Sequence, residues 1–209
     1  MTNHFQLLGE KLPTLKSIAV HTGPNSYFAQ EALRFRSIAG TLKEIDGFSL
    51  DDSANADERH ITHILIRPLL ESYFWLLYIF DDQNKKHDRY EQLLNSFKSD
   101  YLKLTNEPEL PRKSELEAAD SSWANLPRSM NVRSMLDQIV NNQGTRLSYL
   151  YFLYRIASFD THGKNLGTIG RSVFGKTANF PVLDINVAID YMANQYLVIL
   201  QDLVSADEI

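Results

Sequence analysis

Two mostly apolar stretches, far apart in the chain, each carry polar residues at helical spacing. The first, residues 64–75, contains Arg67 and Glu71, which are one helical turn apart. The second, residues 149–163, is rich in aromatic residues and is interrupted by Arg155, Ser158 and His162. Charged, hydroxyl and imidazole groups inside such segments cost desolvation free energy unless each has a partner. We therefore expect the two stretches to face one another.

Apolar residues recur at spacings of three and four almost throughout, and no series of alternating β-branched strands occurs. This pattern predicts an all-α protein. With 209 residues, the chain suits one domain covering 1–209, a bundle of six to eight helices. We expect a kinked central helix, capped by Asp57 and running to Phe80, because Pro68 removes a backbone hydrogen bond inside it.

The remaining helices are placed by their apolar periodicity and by proline and glycine. Pro13 is expected to kink or split the first helix. Gly144 is expected to end the predicted helix that covers about 130–142. The segment from Asp160 to Pro181 contains four glycines and is expected to be the longest loop. The predicted helices cover about 3–20, 24–45, 57–80, 85–104, 113–123, 130–142, 145–159 and 183–204.

Composition limits the classes of partner and the compartment. The net charge of −5, with both signs interspersed, gives no broad positive field for a DNA duplex. The absence of cysteine and the lack of a signal-peptide pattern at the N-terminus favour a cytoplasmic protein. The segment Ile64 to Phe80 is too short and too polar for a membrane span, which needs about 20 apolar residues.

The stripe formed by His63, Arg67 and Glu71 has two interpretations. Either Arg67 and Glu71 form an ion pair that ties two helices together, with His63 at the rim, or the stripe lines a binding pocket. His162 also has two: a semi-exposed imidazole that acts as a general acid or base, or a cation that stabilises the end of a helix. The sequence leaves both questions open.

No sequence motif for a cofactor is present. The chain lacks a P-loop, a dinucleotide-binding glycine motif and a His-Glu-x-x-His motif. His60 and His63 are three residues apart, but no carboxylate lies at the spacing of a paired ligand set, so no metal is expected. The basic, glycine-rich segment 163–171 either wraps a phosphate or binds nothing.

Arg155, followed seven positions later by His162, resembles the arginine and histidine motif of the HEPN superfamily (higher eukaryotes and prokaryotes nucleotide-binding). Its members are helical bundles, and many are metal-independent RNases of toxin–antitoxin and phage-defence systems. The resemblance implies that His162 moves a proton and Arg155 stabilises charge on the phosphoryl oxygens. It also implies a homodimer in which two such pairs meet.

The segments 66–71 and 153–158, together with His162 and Gly163, also resemble a bacterial family of helical proteins of unknown function. From both resemblances we expect an RNA-cleaving, RNA-binding or nucleotide-binding protein of a defence or stress system. Arg67, Glu71, Ser158 and His63 are the candidate binding residues, and Arg155 and His162 the catalytic ones. The alternatives are an interaction protein whose polar network is structural, and a small-molecule sensor with a pocket beneath the glycine-rich segment.

Overall fold

A computed structural model of the protein describes residues 3–44, 49–51, 53–127, 130–140, 147–177 and 184–209. Within these ranges every regular element is helical, which confirms the all-α prediction. Three short 3-10 turns cover Gln83–Lys85, Lys113–Glu115 and Ser121–Asn125. The α-helices are α1 His4–Glu10, α2 Leu12–Ala19, α3 Pro24–Glu44, α4 His60–Phe80, α5 Lys86–Thr105, α6 Val132–Leu136, α7 Leu147–Thr161, α8 Leu166–Phe174 and α9 Ile185–Ser205.

The chain forms two compact units, one of Met1–Phe74 with Asn141–Ile209 and one of Trp75–Val140. In the first unit, α1 packs on α9 and α2 packs on α3. An aromatic cluster joins three helices of its core: Tyr196 of α9 stacks on Phe35 of α3 at 4.9 Å between ring centroids and lies 6.4 Å from Tyr73 of α4. Burial raises the pKa of Tyr73 and Tyr196, so both phenols remain protonated and serve as packing groups.

The second unit centres on α5. Arg89 is buried, and its guanidinium lies over the ring of Tyr78. The same guanidinium donates a hydrogen bond to the backbone carbonyl of Tyr78. The predicted helix over 113–123 is wrong, because two short 3-10 turns with an extended segment between them occupy this region. Arg112 precedes the first turn in the left-handed conformation, and Asp120 caps the second through the N–H of Ser122.

Several predicted boundaries hold, and others need correction. Proline 13 does split the first predicted helix, since α2 begins one residue before it. Helix α4 begins at His60, so Asp57 is not its N-cap: the side chain of Asn55 accepts the N–H groups of Asp57 and Glu58 and holds a turn there. The helix is uninterrupted at Pro68, and the bend predicted there remains a prediction.

The glycine-rich loop predicted from Asp160 onward is also wrong. Helix α7 continues to Thr161, and residues 166–174 form α8, which is capped by the Asn165 side chain and ends at a left-handed Gly175. Helix α6 is much shorter than predicted. The predicted helix end at Gly144 lies outside the described residues. The sensor hypothesis stays a prediction, with α8 in place of much of the loop that it assumed.

Gly167 in α8 packs directly against the carboxylate of Asp57. A Cβ atom at this position would lie 1.6 Å from Asp57 Oδ1, which is far inside van der Waals contact. The small residue therefore allows the first turn of α8 to approach the segment before α4, where Asp57 also lies 3.6 Å from Arg171. This packing explains why a glycine pattern that looks like a loop forms a helix.

We expect Gly167→Ala to destabilise the protein by about 1 kcal/mol, because the gain in helix propensity is outweighed by displacement of Asp57. In an Asp57→Ala background the same substitution should stabilise by about 0.5–1 kcal/mol, the ordinary helical effect. Urea unfolding of the four proteins measures both values. Equal effects of Gly167→Ala in the two backgrounds would contradict the contact.

Candidate functional site

Helices α4 and α7 pack antiparallel through a row of contacts. His63 contacts Asp160, Arg67 contacts Ser158, and the ring of Phe74 lies 6.4 Å from that of Tyr151. From one contact to the next the residue number increases in α4 and decreases in α7, so the two helices run in opposite directions. The prediction that the two stretches face one another is confirmed.

Arg67 is the centre of the first polar group. Its guanidinium donates to Ser158 Oγ at 3.1 Å, to Glu71 Oε2 at 2.9 Å and to the Tyr154 hydroxyl at 3.1 Å. The guanidinium carbon also lies 4.8 Å from the Tyr154 ring centroid, within cation–π range. Ser158 in turn donates to the backbone carbonyl of Tyr154 at 2.6 Å. Each nitrogen of the guanidinium thus has an acceptor within the protein.

Arg67 and Glu71 do form an ion pair, but it lies within α4, and the bonds from Arg67 to Ser158 and Tyr154 are the ones that join two helices. The Arg67 side chain is 16% exposed, whereas that of Glu71 is 40% exposed. Solvent therefore screens Glu71 more strongly than Arg67. Burial raises the pKa of the Tyr154 phenol, and the Glu71 carboxylate adds to that effect, so the hydroxyl keeps its proton.

The second polar group is built on Asp160, whose side chain is fully buried near the end of α7. One carboxylate oxygen lies 2.7 Å from Nδ1 of His63. The other accepts the backbone N–H of Leu166 at 3.0 Å and lies 3.1 Å from Nδ1 of His60. A single carboxylate thus joins α4, α7 and the first residue of α8.

His63 is fully buried, so the expectation that it lies at the rim is wrong. The physical reason is Asp160, which offers the imidazole a partner inside the core. Nε2 of His63 has no hydrogen-bond partner among the described residues. His60, one turn earlier, is about one-third exposed and also approaches the side chain of Asn165, at 3.1 Å.

The histidines and the aspartate form one polar cluster. In both imidazoles Nδ1 lies at hydrogen-bonding distance from the Asp160 carboxylate, 3.1 Å for His60 and 2.7 Å for His63. Across the described part of the chain, no group of three histidine or acidic side chains is arranged to hold a metal.

Arg155 and His162 lie on the exposed side of α7 and just beyond its end. Arg155 donates a long hydrogen bond of 3.4 Å to the Tyr151 hydroxyl, one turn earlier on the same helix. The backbone N–H of His162 donates to the Ser158 carbonyl. No hydrogen bond joins the two side chains within the described residues. The structure therefore brings Arg67, Glu71 and Ser158 together, whereas Arg155 and His162 face solvent separately.

Asp160 and Asn165 are functional-site residues that the sequence pattern did not indicate, and His60 was considered only as a metal ligand. Tyr154 was expected to pack in the core. A helical reading of residues 154–162 would have placed Tyr154 on the Arg67 side, one turn before Ser158, and that signal was available. Asp160 carried no such signal, because it was assigned to the end of a helix and the start of a loop. The role of Asp160 depends on its bond to the start of α8, and the glycines of residues 163–175 predicted a loop there instead of a helix.

Two further findings bear on function. Among the described helices, none is both long and apolar enough to cross a membrane. No protein-family model matches the chain, and no curated protein or solved structure is significantly similar to it.

We expect Arg67→Ala to destabilise the protein by about 2–3 kcal/mol, because three buried or half-buried acceptors lose their donor. Glu71→Ala should cost about 1 kcal/mol or less, since the carboxylate is largely screened and Arg67 keeps two other partners. Urea denaturation of each variant gives the values, and Arg34→Ala, which removes an exposed arginine bonded to Glu31 and to the hydroxyl of Ser72, is the control. An equal cost for both substitutions would contradict the ranking.

Acid should weaken the link through Asp160. Burial raises the pKa of this carboxyl, but the bonds from His63, the Leu166 N–H and His60 outweigh burial and lower it below the ordinary value of 3.8. Since the folded pKa is the lower one, the stabilisation is complete above the unfolded pKa and is lost as pH falls through the folded pKa. The free energy of unfolding should therefore fall more steeply below about pH 4 for the native protein than for Asp160→Asn. Parallel slopes would contradict this.

Proposed function

We propose that the protein is a HEPN-like RNA-binding protein with metal-independent endoribonuclease activity, acting in a bacterial defence or stress system. Arg155 and His162 are the residues that contact RNA. Two copies of the chain act together, because a single arginine and histidine pair is a weak catalyst.

The observation that supports this proposal is the exposure of two side chains, Arg155 in the middle of α7 and His162 just beyond its C-terminal end. Arg67, Glu71, Ser158 and Asp160 bond to one another or to neighbouring groups inside the protein. Arg155, by contrast, makes within the described residues one side-chain hydrogen bond, a long one of 3.4 Å to the Tyr151 hydroxyl. Its planar fork of donors is therefore available to phosphoryl oxygens.

The chemistry is attack of a ribose 2′-hydroxyl on the adjacent phosphate. His162 transfers a proton, and Arg155 stabilises the negative charge that develops on the phosphoryl oxygens. The Arg67 group has a supporting role, since it fixes α7 on α4 and thereby holds the two exposed residues in place. Rigid support of this kind is what a preorganised site requires.

A second candidate is a non-enzymatic interaction protein whose polar network is structural. Its support is the saturation of Arg67, all of whose guanidinium nitrogens are bonded within the protein. In addition, Ile156 follows Arg155, where most active HEPN members carry a polar residue. On this candidate, the contacts stabilise the fold and no residue of α7 reacts.

We expect the purified protein to cleave RNA in the presence of a chelator, and His162→Ala and Arg155→Ala each to reduce the rate by at least about 100-fold. Both side chains are exposed, so the free energy of unfolding should change by less than about 0.5 kcal/mol. Gel analysis of a labelled RNA and urea denaturation measure the two quantities.

The matched controls are His87→Ala and Arg133→Ala, which remove an exposed histidine and an exposed arginine of the second unit. They should cleave RNA at the native rate. Absence of cleavage and of RNA binding in the native protein would overturn the proposal and favour the second candidate.

A further inference from the structure

His60 is the one histidine besides His162 that the described structure places both near the end of α7 and within reach of solvent. Its side chain is about one-third exposed, and its Nδ1 is 3.1 Å from the carboxylate of Asp160, two residues before His162. Transfer of an RNA phosphate needs one group to accept the 2′-hydroxyl proton and another to protonate the leaving oxygen. The single His162 of each copy cannot perform both in the same step, and His60 of the same copy is the candidate for the second group.

We propose that His60 is the general base of the RNA-cleaving site, oriented by Asp160, and that His162 is the general acid. This inference rests on the proposed function. Asp160 is a positioning residue: it is buried, it does not reach the substrate, and it holds the imidazole of His60 through Nδ1. The remaining nitrogen, Nε2, is the one that meets the substrate.

The tautomer of His60 decides whether this arrangement works. Nδ1 lies 3.1 Å from Asp160 Oδ1, an acceptor, and also 3.1 Å from Asn165 Nδ2, a donor. The amide of Asn165 is held in this orientation, because its oxygen accepts the N–H of Thr168 as the cap of α8. Nδ1 cannot both donate to Asp160 and accept from Asn165.

The hydrogen bond from Nδ1 of His60 to Asp160 is favoured over the one from Asn165. A hydrogen bond to an ionised carboxylate is about twice as strong as one between neutral groups. The lowered pKa of Asp160 keeps it ionised, with His63 and the Leu166 N–H holding its other sites. In its neutral form, His60 therefore carries the proton on Nδ1 and a lone pair on Nε2, as a base requires.

The cleavage step transfers two protons and replaces one bond from phosphorus to oxygen with another. Nε2 of His60 removes the proton from the ribose 2′-hydroxyl, and the 2′-oxygen forms a bond to phosphorus. The bond from phosphorus to the 5′-oxygen of the next nucleotide breaks, and His162 donates a proton to that oxygen. The products are a 2′,3′-cyclic phosphate and a free 5′-hydroxyl, and the two histidines have exchanged protonation states.

The charged group that contacts the His60 side chain is Asp160 of α7. From α8, His60 meets the uncharged amide of Asn165.

The test combines a structural readout with an activity readout. Nitrogen-15 NMR of the imidazoles should show His60 with its proton on Nδ1, both in the native protein and in Asn165→Ser, which keeps a capping oxygen but removes the competing donor. His60→Ala should reduce chelator-resistant cleavage of a labelled RNA by at least about 100-fold.

His4→Ala is the matched control, because His4 is similarly exposed and its Nδ1 also contacts a carboxylate, Asp190, at 2.7 Å. It should cleave at the native rate. A proton on Nε2 of native His60, or full activity of His60→Ala in a protein that cleaves RNA, would overturn the inference alone. A native protein that neither binds nor cleaves RNA would overturn the proposed function, and the role of His60 with it.

Discussion

The buried carboxylate of Asp160 is the group on which the arrangement of α4, α7 and α8 depends. It takes hydrogen bonds from His63 in the middle of the core, from His60 at the start of α4 and from the backbone of Leu166 at the start of α8. A buried charge is tolerated only when its acceptor sites are filled. The three elements therefore have to meet at this point for the carboxylate to remain ionised.

The Arg67 group extends the same contact toward the middle of the two helices. Its bonds to Ser158 and Tyr154 fix the register of α7 along α4, because a shift by one residue would remove both acceptors. Together the two groups hold the C-terminal end of α7 in place. The exposed residues Arg155 and His162 thus stand on a rigid support, which is the physical basis of the proposed function.

Much of the fold could be predicted because the long helices carry strong apolar periodicity. The ends of α3 and α5 were predicted within one or two residues, and the pairing of the two polar stretches followed from the cost of burying Arg67 without partners. Helix α8 could not be predicted. The local sequence around Gly167 is typical of a loop. A glycine is needed at this position because Asp57, which is distant in sequence, occupies the space of a Cβ atom.

The candidate site was predicted only in part, for a similar reason. Arg67, Glu71 and Ser158 were found because helical spacing places them on interior faces. Asp160 and His60 were missed because their roles arise from contact between three elements, and spacing along one helix does not reveal such a contact. His63 was expected at the rim but is buried, because Asp160 provides it with a hydrogen-bond partner inside the core.

A double-mutant cycle between His63 and Asp160 measures whether the buried link between α4 and α7 stabilises the fold. Urea unfolding of His63→Ala, Asp160→Ala and the double variant gives the coupling free energy of the pair. The account predicts a coupling of about 1–3 kcal/mol, since each single substitution leaves the other polar group buried without its partner. Additive effects, within about 0.3–0.5 kcal/mol, would contradict a structural role for this contact.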